Sequence, residues 1–339
     1  MIKNRLILSG FFILAALAFG WSLFQGKESV NFLKLKEVKI SKGMSFNEVS
    51  SELKLNGIIS SETFFRIYGA LSGSFGKIKP GRYIFPEKIG VSELMKILVE
   101  GPEEISVVIP PGLTLAEIND KLSAAGIIKP GELINFNVDN LRKDYPWLPT
   151  ETKETIGGPL EGFLMPDTYD FFAGADIDST IRTFIDNFYK KVGSAEGLLF
   201  FAKQSNVLKI INLASILEKE VSDSSERRLV AGILEKRLSV GMPLQVDAVL
   251  VYKNCGGRFL NCPPLNKKNY KEDSTYNVYM RQGLPPGPIS NPSLDAIKAA
   301  LSPIKSGYWY YLSDPKTKET IFSETLDEHN ENRAKYLNM

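Results

Sequence analysis

The sequence predicts an α+β protein in which two folded domains follow an N-terminal hydrophobic segment. Three observations lead to this class: an uncharged run near the N-terminus, a strand–helix motif that occurs twice, and a C-terminal half that changes from helical periodicity to aromatic and β-branched segments. A chain of 339 residues can build more than one hydrophobic core. We therefore expect three regions, at residues 1–27, 36–130 and 155–339.

Residues 1–27 are expected to anchor the protein in a membrane. Lys3 and Arg5 precede an uncharged run from Leu6 to Phe24, which would span about 28 Å as a helix and so match the apolar thickness of a bilayer. A cleaved signal peptide is the alternative, but the bulky Trp21 lies where a cleavage site needs small residues. The basic N-terminal side predicts a single-pass protein of the cell inner (cytoplasmic) membrane, with its domains on the periplasmic or extracytoplasmic side.

Residues 36–130 contain a motif that recurs 69 positions further along the chain. Its copies run from Val38 to Ile59 and from Val107 to Ile128, and each has the pattern of a strand, a glycine turn and a helix. In each copy a hydroxyl residue, Ser45 or Thr114, precedes a glutamate by three positions, which is the spacing of a capping box. We expect helices to begin at these two residues.

The charge balance and the few metal-binding side chains exclude several classes of function. With 41 Lys and Arg against 39 Asp and Glu, and no dense basic cluster, nucleic acid is not an expected partner. The single histidine, His329, excludes a multi-histidine metal centre and argues against a Ser-His-Asp triad. Cys255 and Cys262 form either a local disulfide or two thiols. We expect no metal and no cofactor.

Two glutamates mark the end of a predicted helix in the segment INLASILEKE, residues 211–220. On a helical wheel Glu218 lies on one flank of the apolar stripe and Glu220 lies on the other. Either carboxyl group could be partly buried, and burial raises the pKa of a carboxyl group so that it retains a proton near neutral pH. Helical geometry does not choose between them, and two solvated charges at a helix end are the alternative.

Five motifs occur in the same order as the signatures of a known family. They are LEGFLMPDTYDF (160–171), LASILEKE (213–220), LQVDAVLVY (244–252), YNVY followed by GLPPGPISNP (276–292), and FSETLDEHN (322–330). The chain resembles the MltG-type (YceG-like) endolytic murein transglycosylases over nearly its whole length. The resemblance includes the N-terminal anchor and a small LysM-like domain, which it places at 36–130, before a larger α+β catalytic domain at 155–339.

The resemblance implies a lytic transglycosylase that cuts nascent peptidoglycan glycan strands internally, between N-acetylmuramic acid and N-acetylglucosamine, and leaves a 1,6-anhydro end. Peptidoglycan synthases are a further class of partner that it implies. The first glutamate of the EKE signature, Glu218, is the implied general acid and base. The residues implied to support or line the substrate cleft are Glu161, Asp167, Glu220, Gln245, Asp247, Tyr276 and Asn277.

Two other functions remain open from the sequence. A muramidase-type hydrolase would use Asp247 or Glu161 as a second carboxylate. A non-catalytic scaffold would bind the cell wall through the repeat domain and would not change glycan length.

Overall fold

The computed structural model describes residues 35–337, except for 87, 103, 151–153, 197–203, 222 and 318. These residues form ten α-helices, two 3-10 helices and three two-stranded sheets. The mixed content confirms the α+β class. The predicted membrane segment lies outside the described residues, and within them no helix is long and apolar enough to cross a bilayer.

The chain divides into two compact units, one up to Glu104 and one from Ile105 onward. The second copy of the sequence repeat, residues 107–128, therefore belongs to the second unit. The sequence repeat predicts one domain at residues 36–130 for both copies, whereas the structure divides the copies between the two units. The second copy joins the larger unit because Ile109, Ile118 and Leu122 are buried in its hydrophobic core.

In its described residues, the first unit is a small antiparallel sheet with three helices. Its elements are β1 (Leu35–Ile40), α1 (Phe46–Leu55), α2 (Glu62–Leu71), β2 (Gly81–Pro86) and α3 (Val91–Glu100). Strands β1 and β2 pair with Val38 opposite Tyr83. Alternate strand side chains point into the core, where Val38, Phe85 and Leu53 are almost inaccessible to solvent.

The second unit contains the remaining elements. They are β3 (Glu104–Ile109), α4 (Leu115–Ala124), a 3-10 helix (Val138–Lys143), β4 (Asp167–Phe172), α5 (Ile177–Glu196), α6 (Gln204–Glu220), α7 (Ser224–Ser239), α8 (Asp247–Asn254), a second 3-10 helix (Asn269–Lys271), α9 (Leu294–Leu301), β5 (Tyr310–Ser313), β6 (Thr320–Ser323) and α10 (Leu326–Tyr336). Strand β3 pairs with β4, and β5 pairs with β6 in antiparallel register. Helix α6 packs against α7, α8 and α9, and its buried residues, such as Ile211 and Leu217, belong to the core of this unit.

Both predicted capping boxes are present. Ser45 is the N-cap of α1 and Thr114 is the N-cap of α4, and each accepts the N–H of the glutamate three positions later. In return, Glu48 and Glu117 accept the backbone N–H of their caps. The prediction that helices begin at these residues is confirmed.

The β-branched residues of the segment QVDAVLVY are typical of a strand, but in the structure the residues from Asp247 onward form helix α8. Ala248, Val249, Leu250 and Tyr252 are buried there, so tertiary packing outweighs the strand preference of the β-branched residues. At the end of this helix Cys255 and Cys262 form a disulfide, with their Cα atoms 5.8 Å apart.

Candidate active site

The second unit contains a cleft of about 580 Å³ in which acids, tyrosines and cations meet. Three predicted site residues line it: Glu220, Gln245 and Asp247. The other lining residues are Arg237, Tyr270, Tyr279, Tyr310, Tyr311, Leu312, Ser313, Leu326, His329, Arg333 and Leu337. The lining comes from widely separated segments of the chain.

Glu220 is the last residue of α6, and its carboxyl group bridges two other elements. One oxygen accepts the backbone N–H of Ala248 in the first turn of α8, at 3.4 Å, and the other accepts the Tyr311 hydroxyl, also at 3.4 Å. The N-cap of α8 is Val246, which has no side-chain oxygen to accept an N–H of the first turn, and Glu220 accepts one of these groups, the N–H of Ala248.

The surroundings of Glu220 favour its protonated form. Burial, aided by the negative charge of Asp247, raises the pKa of the Glu220 carboxyl to about 7, and the bonds from Ala248 and Tyr311 limit the rise. A carboxyl group with this pKa can both donate and accept a proton near neutral pH.

Asp247 is the first residue of α8 and lies in the same cleft. It accepts the Tyr279 hydroxyl at 2.6 Å, and the Tyr279 ring meets Tyr270 edge-on, with 4.9 Å between ring centroids. Tyr270 and Tyr279 therefore form an aromatic part of the cleft lining, next to the carboxylate of Asp247.

Gln245 lies two residues before Asp247, in a backbone conformation that is uncommon outside glycine. Its φ is 55°, and its N–H donates to the Val278 carbonyl at 3.0 Å. Non-glycine residues in the left-handed region concentrate at functional sites, because the surrounding structure must hold them there. Here the bond to Val278 joins the two segments that carry Asp247 and Tyr279.

Asn277 is buried and does not line the cleft. Its amide nitrogen donates to the carbonyls of Tyr270 and Glu272, at 3.1 and 2.7 Å, and its oxygen accepts the N–H of Tyr279 at 3.0 Å. The side chain therefore positions Tyr270 and Tyr279, which are the residues that face the cleft.

Glu218 is not among the residues that line this cleft. One oxygen accepts the Ser293 backbone N–H at 2.8 Å and the Ser293 hydroxyl at 2.5 Å, and the other accepts an N–H of Arg227 at 3.2 Å. The side chains of Glu218 and Arg227 are only 8% and 10% exposed. These bonds join the end of α6 to the N-cap of α9 and to α7, so this position does not favour the catalytic role expected from the sequence.

Glu161 is fully buried and borders a second, smaller cavity of about 270 Å³. It accepts the N–H of Leu115 at the start of α4, the Asn291 amide at 3.1 Å and the Tyr252 hydroxyl at 2.9 Å. Burial raises the pKa of Glu161 to about 8. Its neighbour in this region, Tyr276, is also buried and accepts the Ile156 N–H at 3.1 Å.

Asp167 also lies outside the cleft. Its carboxylate contacts the Asn187 amide and the Lys191 ammonium, each at 2.8 Å, and these bonds hold the pKa of Asp167 below its ordinary value. The contacts tie β4 to α5. Asp167, Glu161 and Tyr276 therefore support the fold around the site.

Several cleft residues were not singled out from the sequence. Tyr279 lies within the YNVY motif, Tyr310 and Tyr311 lie within the aromatic segment YWYYLSD, and His329 lies within the last motif. Arg237 carried no sequence signal of its own, since it reads as an ordinary basic residue near a helix end. In the described part of the chain, no group of three or more His, Cys, Asp or Glu side chains is placed to hold a metal ion.

Comparisons with known proteins agree with the motifs. A protein of Bacillus subtilis (strain 168) named endolytic murein transglycosylase is 29% identical over 313 residues, which are 88% of this chain and 84% of that protein. A protein of the same name from Streptococcus pneumoniae serotype 2 (strain D39 / NCTC 7466) is 27% identical over 330 residues, and the match covers 91% of this chain but 59% of the pneumococcal protein.

A crystal structure of a YceG-like protein from Listeria monocytogenes superposes with a TM-score of 0.60 at 30% identity, over 88% of this chain and 99% of that one. The sequence profile of the YceG-like family matches residues 38–335, which is most of the chain. The chain therefore belongs to the YceG-like family.

Proposed function

We propose that this protein is an endolytic peptidoglycan lytic transglycosylase, and that Glu220 is its general acid and base. The activity is the one named for the Bacillus and Streptococcus relatives. The observation that carries the proposal is the position of Glu220 in a tyrosine-lined cleft, with a pKa of about 7. Tyrosine rings and polar groups in an open groove suit the flat faces and hydroxyl groups of a sugar polymer.

The proposal reverses the roles that the resemblance assigned to the two glutamates. Glu218 is bound by Arg227 and Ser293, so a substrate oxygen would have to displace these bonds to reach it. Glu220 has only the two long contacts from Ala248 and Tyr311 and is open to the cleft. The helical wheel allows both assignments, and the tertiary contacts favour Glu220.

The reaction requires one carboxyl group to act twice. Protonated Glu220 gives its proton to the oxygen that joins C1 of N-acetylmuramic acid to N-acetylglucosamine, and the C1–O bond breaks. The carboxylate then takes the proton of the muramyl C6 hydroxyl, whose oxygen bonds to C1 and closes the 1,6-anhydro ring. The substrate supplies its own nucleophile, so the second carboxylate of an ordinary glycosidase is not needed for bond making.

The neighbours of Glu220 assist both steps. The charge of Asp247 keeps the proton on Glu220 before cleavage, and the same charge stabilises positive charge that develops at C1. The N–H of Ala248 at the start of α8 stabilises the carboxylate that forms afterwards, because a helix N-terminus favours negative charge.

The test is digestion of defined glycan strands with purified protein, followed by mass analysis of the ends. We expect 1,6-anhydro ends from the unchanged protein and their loss in Glu220→Gln. If Glu220→Gln cleaves at the unchanged rate while Glu218→Gln does not, the assignment to Glu220 is wrong. Unchanged strand lengths with every form would favour the scaffold function.

A muramidase-type hydrolase is the second candidate, because Asp247 shares the cleft with Glu220 and offers the second carboxylate that hydrolysis needs. The same experiment separates the two reactions. Hydrolysis leaves reducing ends that carry an oxygen from water, whereas transglycosylation leaves anhydro ends.

We also propose that residues 6–24 anchor the protein in the cell inner membrane with its folded units outside the cytoplasm. The uncharged run and the preceding basic residues support this topology. The first folded unit, a LysM-like element on this proposal, would hold glycan near the membrane, where peptidoglycan synthases work. Protease added to spheroplasts should degrade the folded units, and a soluble form cleaved after residue 25 would contradict the anchor.

A further inference from the structure

Arg237 is a buried cation that lines the cleft, and no acidic partner for its charge is found among the residues that the structure describes. The residue is 4% exposed, and in the described part of the chain no carboxylate lies within 4.0 Å of its guanidinium. A buried charge without a partner is costly, so it is retained where it serves binding or catalysis.

Two hydrogen bonds fix the direction of the Arg237 side chain. Its Nε donates to the Trp309 carbonyl at 2.9 Å, and its Nη1 donates to the Leu244 carbonyl at 2.7 Å. The guanidinium also lies over the Tyr310 ring, 5.1 Å from the centroid. Among the described residues Nη2 has no hydrogen-bond partner, and it is not sealed from solvent. This nitrogen is therefore available to a ligand in the cleft.

Arg237 shares its part of the cleft with Arg333 and His329. Burial and the charges of the two arginines lower the pKa of His329, which stacks on Tyr310 with 5.1 Å between ring centroids. The carboxyl groups that face the cleft are Glu220 and Asp247, and Asp247 is engaged by Tyr279. An anion that reaches Arg237 can therefore gain an attraction that a neutral ligand cannot.

Tyr311 relates Arg237 to the acid. Its hydroxyl contacts Glu220, and the pKa of Tyr311 and the pKa of Arg237 are each shifted by the charge of the other group. Arg237 and Glu220 line the same cleft, so a sugar bound with its C1–O bond at Glu220 can have another substituent at Arg237. The muramyl sugar differs from N-acetylglucosamine by a lactyl ether on C3, which ends in a carboxyl group or in a peptide stem that carries carboxylates.

We propose that Arg237 binds a carboxylate of this C3 substituent and so selects muramyl sugars over N-acetylglucosamine at the site of cleavage. The inference rests on the proposed function and adds a specificity determinant to it. The carboxylate has two sources: the free lactyl group of a strand without peptides, or the peptide stem of an intact strand. Arginine suits either source, because its planar guanidinium matches a carboxylate.

Binding is measured without cleavage, in the Glu220→Gln form of the whole protein. Three tetrasaccharide probes are compared: a muramyl glycan with peptide stems, the same glycan without stems, and an uncharged N-acetylglucosamine oligomer. We expect at least one muramyl probe to bind about tenfold more tightly than the uncharged oligomer, as a charged hydrogen bond predicts. The muramyl probe that binds more tightly than the uncharged oligomer identifies the source of the carboxylate, either the lactyl group or the peptide stem.

Substitution of Arg237 is expected to abolish the preference and to leave binding of the uncharged oligomer nearly unchanged. Arg237→Lys should restore part of the preference, and Lys236→Gln is the matched control. Lys236 is the adjacent cation, but it donates to the carbonyls of residues 306–308 outside the cleft lining. An equal preference in Arg237→Gln and the control would overturn the proposal.

A second measurement does not depend on how well Arg237→Gln folds. In the parent protein a muramyl probe whose carboxyl groups have been converted to amides should bind no more tightly than the uncharged oligomer, because it offers Arg237 no negative charge. Equal affinity for the amidated probe and for the probe with free carboxylates contradicts the role of Arg237. Absence of binding to all three probes would contradict the proposed function itself, which is a different result.

Discussion

Glu218 and Ser293 are 75 positions apart in the chain and make two hydrogen bonds, one to the backbone N–H and one to the hydroxyl of the serine. Ser293 is also the N-cap of α9 and binds the N–H of Ala296. The contact therefore joins the end of α6 to the beginning of α9. It gives Glu218 a structural function that can be separated from catalysis.

We expect Glu218→Gln to destabilise the protein and to leave the folded fraction active. The substitution removes the charge opposite the buried Arg227, and loss of a hydrogen bond to a charged group costs about 1.5–3 kcal/mol. Denaturant unfolding, with activity expressed per folded molecule, measures both effects. Glu220→Gln is the comparison: it should lose at least about 10²-fold in activity, as expected for a general acid, with a smaller loss of stability.

The pH dependence of cleavage should follow the protonation of Glu220. Because the acid must carry a proton, the rate should fall as pH rises through about 7. Asp247→Asn removes a negative charge that raises the pKa of Glu220, so the falling limb should move to lower pH. Rate profiles of both forms between about pH 5 and 9 provide the measurement. If the falling limb does not move in Asp247→Asn, the charge of Asp247 does not raise the pKa of the catalytic acid.

Glu161 should make the protein less stable as pH rises. Burial raises its pKa to about 8 in the folded state from an ordinary value of 4.5, so between these pH values the folded state binds more protons than the unfolded state. The free energy of unfolding should therefore decrease across this window, and Glu161→Gln should flatten the decrease. Urea unfolding at several pH values measures the slope, and an unchanged slope in the variant would show that another group causes it.

The two capping boxes offer a prediction for each folded unit. Ser45→Ala and Thr114→Ala each remove the acceptor for a backbone N–H, and we expect each to cost about 0.5–2 kcal/mol of unfolding free energy. Thr63→Ala is a control at an exposed helix position, where the change should remain within about 0.5 kcal/mol. Equal losses at all three positions would mean that the cap bonds are not the cause.

Local features of this protein were predictable from sequence, and choices that depend on distant partners were not. The caps at Ser45 and Thr114 follow from residues three positions apart, and the structure has both. The choice between Glu218 and Glu220 depends on Arg227, Ser293 and the start of α8, none of which enters a helical wheel.

The cleft illustrates the same limit. Gln245 and Asp247 belong to motifs and line the cleft. Arg237 belongs to no motif, and its place in the lining depends on hydrogen bonds to the carbonyls of Leu244 and Trp309, which the sequence does not reveal. Glu161 and Tyr276 belong to motifs as recognisable as that of Asp247, yet they are buried as supports. A motif marks a region of the fold without telling which of its polar groups faces the ligand.

The near-neutral pKa of Glu220 has a consequence for the direction of the reaction. At about pH 7 its protonated and ionised forms have nearly equal free energies, so the group exchanges a proton equally well in either direction. On the proposed mechanism, microscopic reversibility requires that the same cleft would also catalyse the opening of a 1,6-anhydro end by the C4 hydroxyl of another strand, which would rejoin two glycans. Removal of the released strand, rather than the chemical step, would decide whether the polymer is shortened or re-formed.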